Sequence, residues 1–308
     1  MVPPLSAGLT APSPPDARPR LRSIAAVVNA ASGAVGPGAS AAVAELVAAY
    51  GCPLTLWTPA PDEIGQAVRS AVDAAPDLLL ILAGDGTARL AAELCGPDGP
   101  LLAPLPGGTM NMLPHVLYGD RSWQDALKET LELGLERHVS GGAVGGQAFY
   151  VAAILGAPAL WARVREAIRA GKFAQARLRV GYALRRAFAG DLHYRLEGRP
   201  RQAAEALVLI CPAVSRTMEG ESALEVAALE VHGAREVFRL AFHGLAGDWR
   251  CDPGVTVQTG VHGRAGARRS IPCILDGEVR PMPRRVDFEF RARGFRALAP
   301  PPAPRLGV

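Results

Sequence analysis

The chain has little of what would tie it to a wet, metal-rich or membrane-spanning class. Charged residues make up 20% and aromatic residues 6% of its 308 positions, with a hydrophobic content of 49%, which fits a folded domain and excludes a disordered chain. Its five cysteines, Cys52, Cys95, Cys211, Cys251 and Cys273, are odd in number, scattered and without a C-x-x-C pair. That pattern suggests neither a disulfide framework nor a zinc site, and fits a reducing cytoplasm. The histidines show no metal-ligand spacing. No apolar run is long enough to span a bilayer, and the Pro-rich start, with Pro3, Pro4, Pro12, Pro14 and Pro15, lacks the charged and apolar regions of a signal peptide. There is no G-x-x-x-x-G-K-[ST] and no G-x-G-x-x-G ahead of a helix, so neither a P-loop nor a Rossmann cofactor site is indicated.

What is present is glycine at the ends of apolar strands. Residues 77–83 are too short and too continuously apolar for a surface helix and predict a strand covered on both faces. Gly84-Asp85-Gly86-Thr87 follows, and then helix-compatible residues 88–95. Glycines there let backbone N–H groups converge on an anion at a helix N-terminus, so the run reads as a phosphate cradle, or as a tight turn capped by Asp or Thr. A second short apolar segment, 101–106, ends in Gly107-Gly108-Thr109-Met110-Asn111. Two such units form neighbouring lips of one crevice if their strands are parallel.

Read in order, residues 1–22 form a disordered Pro-rich tail. Residues 24–30, 54–57 and 77–83 predict strands, and 39–50, 62–74, 113–117 and 122–133 predict helices. Gly51 and Gly134 are helix stops and Ser122 is an N-cap. This βαβα alternation predicts a parallel sheet with helices on both faces. From residue 135 the pattern turns to strands, at 139–144 and 148–155 around Gly145-Gly146, then 203–211, 223–231, 255–261, 271–275 and 286–291. Two amphipathic helices interrupt them. Within 161–186 eight basic residues stand against Glu166 alone, and Lys172, Arg179 and Arg186 recur every seventh position along one polar face. That face is a solvated surface or a patch for anionic lipid headgroups; it lacks a nucleic-acid motif.

Taken together, Val28-Asn29-Ala30-Ala31-Ser32-Gly33, Gly84-Asp85-Gly86-Thr87, Pro106-Gly107-Gly108-Thr109-Met110-Asn111 and Asp276-Gly277-Glu278 resemble the diacylglycerol kinase catalytic-domain family. That family includes bacterial lipid kinases and sphingosine kinases and is distantly related to NAD kinases. The resemblance implies an α/β plus β fold: an N-terminal parallel α/β nucleotide-binding domain, 23–134 with 286–300 as a completing segment, then a β-sandwich lipid-substrate domain, 135–285, with inserted helices and a tail from 301. It implies transfer of the γ-phosphate of ATP, with Mg²⁺, to a lipid hydroxyl. The nucleotide would meet Asn29, Ser32, Gly33, Gly84, Asp85, Gly86, Thr87, Gly107, Gly108, Thr109, Asn111 and Glu278, with Asp276 and Asp85 as catalytic candidates. Where members carry a metal-linked acidic turn, Glu219 and Glu221 stand here, either as metal ligands or as an exposed acidic turn. A cytoplasmic protein on the inner face of an anionic membrane, with a lipid substrate, no nucleic acid and a homodimer as a candidate assembly, completes the expectation. Arg89 and Leu90 replace the usual Asn-Glu, Ala83 a glycine, and Met112 an aspartate. Arg89, Leu90 and Met112 keep open a degenerate kinase fold that binds nucleotide or lipid without catalysis, and the shared G-D-G-T keeps open an NAD kinase-like enzyme.

Overall fold

The computed structural model describes residues 19–156, 192–214, 222–230, 250 and 252–301. The expected basic helices, with Lys172, Arg179 and Arg186, lie outside the described residues, as do Glu219 and Glu221.

The N-terminal part alternates as its apolar spacing predicts: β1 (Ile24–Val28), α1 (Ala39–Tyr50), β2 (Leu54–Trp57), α2 (Ile64–Asp73), β3 (Leu78–Ala83), α3 (Asp85–Cys95), β4 (Leu101–Pro106), α4 (Met112–Tyr118) and α5 (Trp123–Leu133). Strands β2, β1, β3 and β4 lie side by side in that order, all parallel. Every residue of β1, β3 and β4 is buried, because α1 and α5 pack together, α2 and α3 pack together, and the two pairs sandwich the sheet. Full burial of a leucine side chain contributes about 1.5–3 kcal/mol, so the leucines of β3 anchor this core. Gly51 ends α1 in the left-handed conformation, with φ of 78°. The Ser122 hydroxyl accepts the Asp125 N–H at 3.1 Å and starts α5.

After α5 the chain becomes β-rich, with β5 (Leu135–Val144), β6 (Gln147–Phe149), β7 (Ala152–Gly156), β8 (Leu192–Leu196), β9 (Gln202–Ala204), β10 (Ala206–Ile210), β11 (Leu224–Leu229), β12 (Val255–Gly260), β13 (His262–Gly266), β14 (Cys273–Leu275), β15 (Glu278–Val279) and β16 (Arg285–Ala299). One antiparallel sheet runs β12-β11-β10-β7-β14-β15. It shares a core with β8, β13 and the first half of β16, in which Leu155, Leu209 and Val226 of one sheet meet Leu196, Ala265 and Phe288 of the other. Those strands extend the parallel sheet: β16 pairs with β13 and β5 and, at Ala297↔Leu102, lies parallel to β4.

Two expected strands prove to be two strands each. Residues 148–155 break at Tyr150-Val151, where the chain leaves the sheet of β6 for the sheet of β7, and 203–211 break at Glu205 between β9 and β10 in the same way. An apolar run is the same in either sheet, so only the pairing partners reveal the crossing.

Candidate functional site

The sheet order puts β1 and β3 side by side while their chain continuations go to opposite edges, to β2 and to β4. That is the switch point at which open parallel sheets form a crevice beyond the strands' carboxyl ends. Asn29-Ala30-Ala31-Ser32-Gly33 leaves β1 there. The Asn29 side chain accepts the Ala31 N–H at 3.1 Å and its carbonyl accepts the Ser32 N–H at 3.0 Å, a local turn that asparagine favours. Gly84-Asp85-Gly86-Thr87 leaves β3 beside it, and Gly107 to Asn111 leaves β4.

These loops touch backbone to backbone. A Cβ on Gly107 would lie 2.8 Å from the Ala83 nitrogen, and one on Gly108 would lie 3.0 Å from the Gly84 Cα. The Gly107 carbonyl accepts the Ala34 N–H at 3.2 Å, and Gly33 sits against the Thr109 hydroxyl. Asn111, at a φ of 50°, begins α4; its side chain accepts the Gly108 N–H at 2.7 Å and its carbonyl accepts the His115 N–H at 2.7 Å. Met110 at the lip is half exposed. The Thr87 N–H donates to the Gly84 carbonyl at 3.0 Å, closing the first turn of α3.

Asp85 ties the second loop to the third. Its Oδ1 accepts the Met112 N–H at 2.6 Å, so a carboxylate holds the N-terminus of α4, where acidic groups are favoured. Burial raises its pKa, while the N–H groups of Met112, Leu113 and Asn111 oppose that shift.

The β14–β15 hairpin closes over these loops from the second domain. Asp276 and Gly277 form its turn at φ of 44° and 85°, a twist suited to antiparallel strands. Gly277 lies against the Met112 sulfur. Asp276 is 3% exposed. Its Oδ2 accepts the Tyr150 N–H at 2.7 Å, and its Oδ1 accepts those of Val151 at 2.9 Å and Ala152 at 3.0 Å. Tyr150 and Val151 form the break between β6 and β7 and Ala152 opens β7, and buried N–H groups need a partner. Desolvation raises the Asp276 pKa to about 6, against the opposing pull of those N–H groups and of Arg89.

Glu278, two residues on, reaches α3. Its Oε2 accepts from Arg280 at 2.7 Å and from Arg89 at 3.4 Å, and Arg89 also pairs with Glu93 at 3.3 Å. Arg89 is buried, on the same face of α3 as Ala88, Ala91, Ala92 and Cys95. In the sequence Arg89 was visible only as a departure and Arg280 not at all. The signal for Arg89 was an arginine set among alanines on a buried helix face, which demands a partner.

The structure thus gathers Asn29, Ser32, Gly33, Gly84, Asp85, Gly86, Thr87, Gly107, Gly108, Thr109, Asn111, Asp276 and Glu278 around one cleft. Bare glycine backbone and a helix N-terminus fit a nucleotide's phosphates. Among the described residues no three His, Cys, Asp or Glu side chains cluster to hold a metal, and no described helix is long and apolar enough to cross a membrane. Cys95 and Cys273 are buried with pKa pushed up to about 12, which leaves them as unreactive packing.

The profile of the family described as diacylglycerol kinase catalytic domain matches residues 23–144. No curated protein matches the chain. Among solved structures, a diacylglycerol kinase from Bacillus anthracis str. Sterne is 15% identical with a TM-score of 0.66, covering 92% of this chain and 99% of its own. A second structure from that organism, described as a "putative diacylglycerol kinase", is 16% identical with a TM-score of 0.69, covering 93% of this chain and 100% of its own. At such identity the likeness establishes the fold, an N-terminal parallel α/β domain followed by a mostly antiparallel one. Profile and fold agree with the glycine loops, and residues 23–144 are similar to the diacylglycerol kinase catalytic domain.

Proposed function

We propose that the protein is an ATP-dependent lipid kinase that transfers the γ-phosphate to a lipid hydroxyl. The observation that carries this reading is the meeting of three bare-backbone loops at the switch point of a parallel sheet, with an Asp-Gly-Glu hairpin of a second domain set over them. Phosphoryl transfer asks a protein mainly for positioning and charge stabilisation. Backbone N–H groups of Gly84 to Gly86, at the start of α3, hold the phosphates, and the loops at 29–33 and 107–111 wall the nucleotide. Mg²⁺ would supply charge neutralisation there.

Asp276 is the general base in this reading. Its three N–H bonds fix the carboxylate and leave an acceptor position on Oδ2, and a pKa of about 6 suits proton abstraction near neutrality. Asp276 takes the hydroxyl proton, the lipid oxygen bonds to the γ-phosphorus, the bond to the bridging oxygen breaks, and ADP leaves. Asp85 positions the third loop beside the phosphates.

The basic run of the sequence that carries Lys172, Arg179 and Arg186 supports a lipid acceptor at an anionic membrane, with about 1 kcal/mol per basic residue at such a surface. The test is incubation with labelled ATP, Mg²⁺, a panel of lipids in anionic vesicles, and NAD as a soluble acceptor. Labelled lipid is expected; labelled NAD alone, or no labelled acceptor, overturns the reading.

A further inference from the structure

The Glu278 carboxylate stands where an external anion would be well held. A Cβ built on Gly86, the second residue of the 11-residue helix α3, would fall 1.7 Å from Glu278 Oε1 and 2.8 Å from its Cδ. The carboxylate therefore rests on the bare Cα, over a first turn whose N–H groups and dipole favour negative charge. Two guanidinium groups converge on its Oε2, Arg280 at 2.7 Å and Arg89 at 3.4 Å. The cluster has more donors than one carboxylate uses: the Arg89 side chain is 8% exposed, and its Nε has no hydrogen-bond partner among the described residues. A buried donor without a partner is costly. Glu278 and Arg280 keep 35% and 44% of their side chains exposed, so the carboxylate is free to swing outward while Arg89 stays fixed on its helix.

We propose that Glu278 is an internal stand-in for a phosphate group, and that Arg89 and Arg280 bind that phosphate when Glu278 moves out. A phosphate brings more acceptor oxygens and more charge than the carboxylate it replaces, which suits paired guanidinium forks. In the resting protein the same residues latch the β14–β15 hairpin onto α3. Glu278 then competes with the nucleotide, and apparent affinity is lowered by the fraction of molecules in which it is closed. The inference rests on the kinase reading only in taking the phosphate to be a nucleotide's; free phosphate is the other source.

The experiment is calorimetry of the full chain, wild type, Glu278→Gln and Arg280→Gln, with ATP, ADP, pyrophosphate and orthophosphate. Glu278→Gln is expected to bind ATP about tenfold more tightly than wild type and Arg280→Gln about tenfold more weakly, a step of 1.4 kcal/mol each. Thermal unfolding checks that both partly exposed substitutions leave the fold intact. If ATP and ADP follow this order and the inorganic anions do not, the phosphate is a nucleotide's. If pyrophosphate or orthophosphate follows it as well, the seat takes phosphate from either source. Weaker or unchanged ATP binding by Glu278→Gln overturns the stand-in, because a ligand-holding or inert glutamate gives that result. Protein that shows the expected order yet labels no lipid keeps the phosphate seat and loses the kinase. No binding of any probe by any variant overturns both.

Discussion

Two Asp-Gly pairs face each other across the cleft, and they serve opposite structural ends. Asp85-Gly86 begins a helix after a parallel strand, and Asp85, half-buried, holds one neighbouring loop through the Met112 N–H. Asp276-Gly277 turns an antiparallel hairpin, and Asp276, almost wholly buried, takes the N–H groups of a chain crossing between sheets. One dipeptide thus acts as a clamp at the edge of a site and as a keystone inside a domain. The difference lies in how many backbone donors depend on each carboxylate and how far each is from water.

Removing both carboxylates in turn tests that contrast most strongly. Asp276→Ala leaves three buried N–H groups unsatisfied, at about 1–3 kcal/mol for each orphaned group, so it is expected to lose about 3 kcal/mol or more in urea unfolding. Asp85→Ala is expected to lose about 1 kcal/mol, the scale of a helix cap. Equal losses would break the comparison.

Acid should separate the two next. The Asp276 pKa rises from 3.8 unfolded to about 6 folded, so the folded state binds the extra proton. Its contribution is fully present below pH 3.8 and is lost as pH rises through about 6. At 1.36 kcal/mol per unit, that is about 3 kcal/mol between acid and neutral pH. Unfolding free energy measured against pH should show this fall in wild type and lack it in Asp276→Asn. An identical slope in the two would remove the buried carboxylate as its source.

Smaller in stability but sharp in function is Gly86→Ala. Its Cβ meets only the movable end of Glu278, and alanine suits a helix better than glycine by about 1 kcal/mol, so the melting temperature should hardly change. ATP affinity should nonetheless fall at least tenfold if the methyl group fills the place proposed for the phosphate. The double variant Gly86→Ala with Glu278→Ala sharpens the reading. If the glycine serves only Glu278, binding returns; if it serves the phosphate, binding stays weak.

A similarly small stability change is expected for Asp85→Asn, which keeps an acceptor oxygen for Met112 and should cost under about 1 kcal/mol, yet should abolish turnover. Wild-type activity in that variant would confine Asp85 to its clamp role.

The parallel half could be read residue by residue because each of its signals is local. Continuous apolar runs marked β1, β3 and β4, and Gly51, Ser122 and Gly134 marked helix ends that the structure keeps. The antiparallel half was harder. Strand β8, LHYRL, alternates between buried and accessible positions, and β13 holds Gly263, whose bare Cα is needed only because the Phe288 ring would lie 2.2 Å from a Cβ there. The alternation of β8 is a local strand signal that went unread, whereas the glycine of β13 marks a strand only beside its partner. The candidate site divides in the same way: the glycines and Asp85 stood out by spacing, while Arg89 read as an oddity until Glu278, 189 residues away, supplied its charge partner.

Residue order alone was enough for the β-α alternation, the glycine turns and the helix caps, because each depends on groups within a turn or so of one another. Tertiary structure decided where the chain changes sheets, why Asp276 is buried and what stands over Gly86. The Tyr150 N–H and the Asp276 carboxylate are 126 positions apart. Their bond exists because folding strands two sheets' worth of backbone donors at one crossing, and a buried donor must find an acceptor wherever the fold brings one.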